Sequence, residues 1–99
     1  MDDLRPCAGY LRHPEKHAGM RRSDIAKWFI IAADCVCPDS CRPWRFDGYT
    51  EAMSIEPLPD DEVLAELDRR NNLEMPEVSD KVLFRSLLHI ARRLETDGH

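Results

Sequence analysis

The stretch Ser23-Asp-Ile-Ala-Lys-Trp-Phe-Ile-Ile-Ala-Ala-Asp-Cys-Val36 decides the fold of this 99-residue chain. Its apolar residues recur three and four positions apart and therefore share one broad face of an α-helix: Ile25, Trp28, Phe29, Ala32, Ala33 and Val36. Ser23 is a suitable N-cap, and Asp24 is favourable in a first helical turn. Pro38 cannot continue the helix. The pattern predicts a central core helix over residues 23–36.

Two further helices are predicted within residues 60–95. The first starts at Asp60 or Asp61 and ends near Asn71 and Asn72, because asparagine tolerates the left-handed conformation. Its apolar stripe is narrow: Val63, Leu64 and Leu67. The second runs from about Ser79 to Glu95 and has the clearest helical period of the chain: Leu83, Phe84, Leu87, Ile90, Ala91 and Leu94.

The remaining segments carry no clear period. Residues 1–22 contain two prolines and two glycines and are predicted to be an irregular basic arm with at most a short turn. Residues 37–59 are predicted to be a loop and turn region, where Asp47-Gly48 between aromatic flanks indicates a short β-hairpin or a simple turn. The length fits a single domain. We therefore expect a small, mostly α-helical three-helix domain with an irregular, cysteine-containing loop.

The net charge of −5 is unevenly divided along the chain. Residues 1–46 carry +2, whereas residues 47–99 carry −7. A divided chain of this kind can present either sign of charge to a partner. Charge alone therefore excludes neither a basic protein nor a nucleic acid as the partner.

The cysteine cluster Cys35-Val-Cys37-Pro-Asp-Ser-Cys41 predicts a metal site. Zinc prefers four thiolate or imidazole ligands in a tetrahedron, and the fourth ligand would be Cys7, His13 or His17. The C-x-C and C-x-x-x-C spacings differ from the usual C-x-x-C, so an alternative is that one of the three thiols, in the first place Cys35, is an ordinary buried cysteine. The alternatives are thiols that bind no metal and an iron–sulfur cluster, for which four cysteines would suffice.

The four cysteines resemble the cluster of WhiB-like regulators in their arrangement along the chain. In that family two residues separate the central cysteines, whereas one separates Cys35 from Cys37. A Gly-Trp-Gly-Gly-like turn follows in the family, and Phe46-Asp-Gly-Tyr49 matches it poorly. The chain is not assigned to that family.

Catalytic and membrane motifs are absent from the sequence. It has no glycine-rich phosphate loop, no Gly-x-Ser-x-Gly elbow and no His-Glu-x-x-His pattern. The start Met1-Asp-Asp-Leu-Arg5 lacks the features of a secretory signal, and the longest apolar run is far shorter than a membrane span. We expect a cytoplasmic protein that is not an enzyme and does not bind membranes.

Two charged stripes are candidate partner-binding surfaces, although solvent-exposed helix faces commonly carry such charges. An acidic stripe could imitate a phosphate backbone and bind a basic protein: Asp60, Asp61, Glu62 and Glu66. A basic stripe on the last predicted helix could follow a nucleic-acid backbone: Lys81, Arg85, His89 and Arg92.

The sequence thus favours a non-catalytic regulatory or inhibitory protein that binds another macromolecule. A bacterial or phage accessory factor that targets a host protein or protein–nucleic acid complex fits the size and acidity. One alternative is a zinc-stabilised transcriptional regulator that binds nucleic acid. A second is an iron–sulfur or thiol redox sensor.

Overall fold

The computed structural model describes residues 4–36 and 55–96, together with the backbone of Asp97. Within these residues the chain forms four α-helices and no strand: α1 (Arg5–Arg12), α2 (Arg22–Val36), α3 (Asp60–Asn71) and α4 (Asp80–Asp97). A short 3₁₀ helix, Pro14–His17, follows α1. The mostly helical fold is therefore confirmed. The predicted hairpin around Asp47 lies outside the described residues.

Helix α1 corrects the prediction of an irregular N-terminal arm. Leu4, Cys7 and Ala8 are buried and Leu11 is partly buried, so one face of the segment packs on the core at helical spacing. Pro6 lies in the first helical turn, where the missing N–H has no intrahelical partner to lose. The proline that argued against a helix is thus compatible with its start, and the described residues form four α-helices where three were predicted.

Helices α2 and α4 form the main packing layer, since α2 contacts α4 more extensively than any other pair of helices. All six residues predicted for the core face of α4 are buried. On α2 every residue of the predicted core face is buried except Trp28, which is half-buried. Ala26, which was not predicted, is also buried. Helix α2 begins at Arg22, where the Arg21 carbonyl accepts from the N–H of Ile25 at 3.3 Å. Ser23 therefore lies inside the first turn and is not the N-cap.

Helix α3 packs mainly against α1 and places Val63 and Leu67 in the core. An ion pair between Arg12 and Asp68 joins the surfaces of α1 and α3. The segment before α3 is fixed to α4, because the Leu58 N–H donates to Ser86 Oγ at 3.0 Å. None of the helices in the described ranges is long and apolar enough to cross a membrane.

Candidate functional site

The predicted metal ligands that the structure describes lie in different surroundings. Cys7 is 0% exposed in the core, whereas Cys35 is exposed on α2. His13 is exposed and its Nδ1 lies 3.3 Å from Glu15 Oε1. His17 packs between two aromatic rings, with centroids 5.9 Å from Tyr10 and 5.4 Å from Trp28.

These residues do not converge on a metal site. Among residues 4–36 and 55–96, no group of three or more histidines, cysteines, aspartates and glutamates is arranged to hold a metal ion. The burial of Cys7 is that of a small apolar residue in a helix interface. Cys37 and Cys41 lie outside the described residues, so the zinc site stays a prediction that depends on them.

A small surface cavity of about 180 Å³ adjoins the ring of His17. Its lining residues are Tyr10, Pro14, His17, Ala18, Met20, Arg22 and Ile25. They include no carboxylate and no thiol that could pair with the imidazole for acid–base or nucleophilic catalysis. The His17 ring is also in contact with Tyr10 and Trp28. We therefore describe the cavity as a packing gap between the 3₁₀ helix and α2.

Glu66 lies inside the protein rather than on the predicted acidic stripe. Its side chain is 0% exposed, and its carboxylate accepts hydrogen bonds from Arg69 Nε at 2.8 Å and Arg70 Nε at 2.9 Å. The backbone N–H of Glu77 donates to the same carboxylate at 3.2 Å. Burial of an acid at this position requires such partners, because an unpaired buried charge is very costly.

The partners of Glu66 extend this network into α4. Arg70 Nη1 donates to Asp80 Oδ1 and Arg70 Nη2 donates to the Val78 carbonyl, both at 2.8 Å. Burial would raise the pKa of Glu66, but the bonds from Arg70, Arg69 and the Glu77 backbone outweigh burial and lower the pKa. The carboxylate is therefore ionised at neutral pH and holds the end of α3 against the start of α4.

The remaining predicted acidic residues lie at the start of α3. Asp60 forms an ion pair with Arg93 of α4 at 2.7 Å. Asp61 and Glu62 are exposed, and neither has an ion pair in the described part of the chain. Three carboxylates in a first helical turn are favourable, because the N-terminus of a helix carries a partial positive charge. The exposed acidic surface is thus smaller than the sequence predicted.

The basic stripe predicted on α4 is interrupted at its centre. Arg85 is only 8% exposed, and its Nε donates to the Ile55 carbonyl at 3.2 Å. Lys81 and Arg92 are exposed, and His89 is half-buried. A helix face whose central cation is buried offers a nucleic-acid backbone two separated cations rather than a continuous row.

Two apolar side chains in the connection between α3 and α4 were not predicted to be functional residues. Leu73 is 81% exposed and Met75 is 84% exposed, and they are the most exposed large apolar residues in the described part of the chain. A signal was available in Asn71-Asn-Leu-Glu-Met-Pro76, since connecting turns are usually polar and this one carries two large apolar residues.

Comparison with protein-family models, with curated protein sequences and with solved structures finds no match to this chain.

Proposed function

We propose that this protein is a non-catalytic regulatory or inhibitory factor that binds a basic surface of another macromolecule through the acidic start of α3. A protein or complex that handles nucleic acid is a suitable target, because its binding surface is basic. The observation that supports the proposal is the pair of exposed carboxylates at Asp61 and Glu62, which no ion pair in the described residues neutralises.

Three arginines of the acidic half of the chain, residues 47–99, support this proposal because they form ion pairs with acidic residues other than Asp61 and Glu62. Arg69 and Arg70 contact the buried Glu66, and Arg93 contacts Asp60. These three arginines neutralise Glu66 and Asp60 rather than Asp61 and Glu62, and the net charge of −7 on residues 47–99 supports a negative field there. Complementary charge of this kind speeds association and selects the partner more than it adds affinity.

Charge reversal on α3 tests the proposal. Isothermal titration of the protein with poly-lysine should give binding that the double change Asp61→Lys with Glu62→Lys weakens by about tenfold or more, as expected for two central contacts. The matched control is Glu15→Lys with Glu95→Lys, which changes the net charge equally at two exposed positions on other elements. Equal losses in both double variants would contradict the proposal, because binding would then depend on net charge alone.

A nucleic-acid-binding regulator is the second candidate, and the exposed Lys81 and Arg92 on α4 favour it. Binding of duplex DNA that falls with salt and is lost in Lys81→Glu with Arg92→Glu would support this candidate. It would also count against the first proposal, in which an acidic surface repels DNA.

A bound zinc ion stays part of the proposal through Cys37 and Cys41. Elemental analysis of protein purified without air should find one zinc per chain, and Cys37→Ser or Cys41→Ser should lower Tm, since the free energy of binding a structural metal is free energy of folding. A metal-free chain whose thiols all react would refute the zinc prediction. Iron, sulfide and colour in the same preparation would instead favour the redox sensor.

A further inference from the structure

The turn after α3 holds a leucine in a backbone conformation that leucine disfavours. Leu73 has φ 59°, the only positive φ of a non-glycine residue in the described ranges. Its N–H donates to the Arg70 carbonyl at 3.2 Å, and the Glu74 N–H donates to the Arg69 carbonyl at 2.8 Å. These two bonds define a Schellman motif, in which the left-handed position is usually glycine and sometimes asparagine.

The leucine side chain does not compensate for this strain within the molecule. The left-handed conformation is unfavourable for residues with a Cβ. Burial of the side chain could offset that cost, but Leu73 is 81% exposed. Neither Asn71 nor Asn72, which were predicted to be the left-handed residue, occupies the position, because Asn72 has φ −93°. A large apolar residue is therefore present where stability would favour a small one.

The network around Glu66 fixes the turn in place at both ends. Arg70 reaches forward to the Val78 carbonyl and Asp80, and Glu66 itself accepts from the Glu77 N–H. The segment between these anchors contains Leu73 and Met75, and both side chains extend into solvent. An apolar pair on a backbone that is already ordered loses little conformational entropy when it binds.

Charge around the pair indicates what kind of surface it contacts. The charged residues between Asn72 and Ser79 are Glu74 and Glu77, both acidic and both exposed. Glu77 forms an ion pair with Arg69 at 3.3 Å, so Glu74 is the carboxylate of this turn that no ion pair within residues 4–36 and 55–96 neutralises. An apolar pair flanked by carboxylates is complementary to an apolar patch that is bordered by lysines and arginines.

We infer that Leu73 and Met75 are the apolar anchor of a protein–protein interface whose partner presents an apolar patch with a basic rim. This inference deepens the proposed function and rests on it, since it names the contact that provides affinity while the start of α3 provides charge attraction. Buried apolar side chains at the centre of an interface commonly dominate its binding free energy.

The test titrates the isotope-labelled full chain with a synthetic amphipathic peptide of leucine and lysine, followed by two-dimensional NMR. Chemical-shift changes should concentrate at residues 72–77, and Leu73→Gly with Met75→Ser should weaken binding by about tenfold or more. A peptide in which glutamate replaces lysine should not bind. The control variant Ile30→Ser with Ile31→Ser removes two partly exposed apolar side chains from α2 and should leave binding unchanged.

A stability measurement separates an interface residue from a packing residue. Leu73→Gly should keep or raise Tm, because it relieves the left-handed strain and removes few contacts. A lower Tm would overturn the inference, since the side chain would then stabilise the fold. Unchanged peptide binding in Leu73→Gly with Met75→Ser, or shifts centred on Ile30 and Ile31, would overturn it as well.

Failure of the inference can be distinguished from failure of the proposed function. If only Asp61→Lys with Glu62→Lys loses peptide binding, the acidic docking surface stands and the apolar anchor is wrong. If only the Leu73 and Met75 variant loses binding, the anchor stands and the acidic docking surface is wrong. If light scattering shows a dimer that Leu73→Gly with Met75→Ser dissociates, the turn binds a second copy of this chain instead, and the inference about a basic partner is wrong.

Discussion

At the scale of one residue, Glu66 shows that a buried carboxylate can stabilise the fold where the sequence suggests a solvated surface charge. The sequence places it on an acidic helix, four residues after Glu62, and suggests a solvated carboxylate. In the structure it is fully buried and accepts from two arginines and one backbone N–H. No local pattern distinguishes the two glutamates, because the distinction depends on the segment around Glu77 folding back over α3.

Glu66→Gln should reduce the free energy of unfolding at neutral pH and make that free energy less dependent on pH. The pKa of Glu66 lies below its ordinary value of 4.5, so its stabilising contribution is complete above that pH and is lost as pH falls through the lowered pKa. The substitution weakens charge-assisted bonds and should cost about 1–3 kcal/mol at pH 7. Urea unfolding at pH 7 and pH 3 should show that the difference in unfolding free energy between the unmodified protein and Glu66→Gln is smaller at pH 3. The exposed control Glu62→Gln should have little effect at either pH. A larger loss of stability in Glu66→Gln at pH 3 than at pH 7 would contradict the assignment of Glu66 as an ionised, stabilising carboxylate.

Arg85→Met should leave stability unchanged or raise it. The guanidinium is buried, and its Nη1 has no hydrogen-bond partner among residues 4–36 and 55–96. Its bond to the Ile55 carbonyl offsets little of the cost of desolvating the charge. Replacement of such a buried charge by an apolar side chain of similar length is often neutral or stabilising. Thermal unfolding of the variant gives the answer, with Arg92→Met on the exposed side of α4 as control. A clear loss of stability in Arg85→Met alone would mean that Arg85 contributes more than this geometry predicts.

Leu87→Ala should cost about 2–5 kcal/mol of the free energy of unfolding, because Leu87 is completely buried between α4 and its neighbours. The half-buried Leu88, the next residue on α4, is the matched control and should cost less on the same substitution. Chemical denaturation measures both. Equal losses at the two positions would contradict the orientation of α4.

At the scale of elements, prediction succeeded where helical period and length were both clear. Helices α2 and α4 have wide apolar faces over 15 and 18 residues, so their period is unambiguous. Helix α1 spans only 8 residues and contains Pro6 and Gly9, which hid the Leu4, Cys7, Ala8 and Leu11 spacing. The capping preference of serine places the start of α2 at Ser23, whereas the backbone bond from the Ile25 N–H to the Arg21 carbonyl starts the helix at Arg22.

Gly9→Ala tests whether residues 5–12 are helical. Gly9 lies in the middle of α1, and a Cβ there would meet no atom within 4 Å. Alanine should therefore stabilise the protein by about 0.5–1 kcal/mol. Gly19→Ala is the control, because Gly19 has equal space but lies in a turn outside the helices. An irregular arm would instead give the same small effect at both positions, as measured by thermal unfolding.

At the scale of the whole molecule, the sequence predicted the negative charge of the candidate site but not which residues are exposed there. The excess of acid in residues 47–99 is visible in the sequence, but the pairing of Asp60, the burial of Glu66 and the burial of Arg85 depend on how α3 and α4 meet. The sequence shows Leu73 and Met75 in an otherwise polar connection, but their exposure depends on the fold, because leucine and methionine are also ordinary core residue types. The proposed site therefore depends on the turn between α3 and α4 and on the network around Glu66 that anchors it.

The central claim is that this protein binds a basic, partly apolar protein surface and not a nucleic acid. Fluorescence anisotropy with a labelled leucine–lysine peptide and a labelled DNA duplex, each at about 50 and 200 mM salt, tests it most directly, since electrostatic binding weakens over this range. We predict that the unmodified protein binds the peptide, less tightly at the higher salt, and does not bind the duplex. Tighter binding of the duplex than of the peptide, with an affinity that falls steeply with salt, would contradict the account.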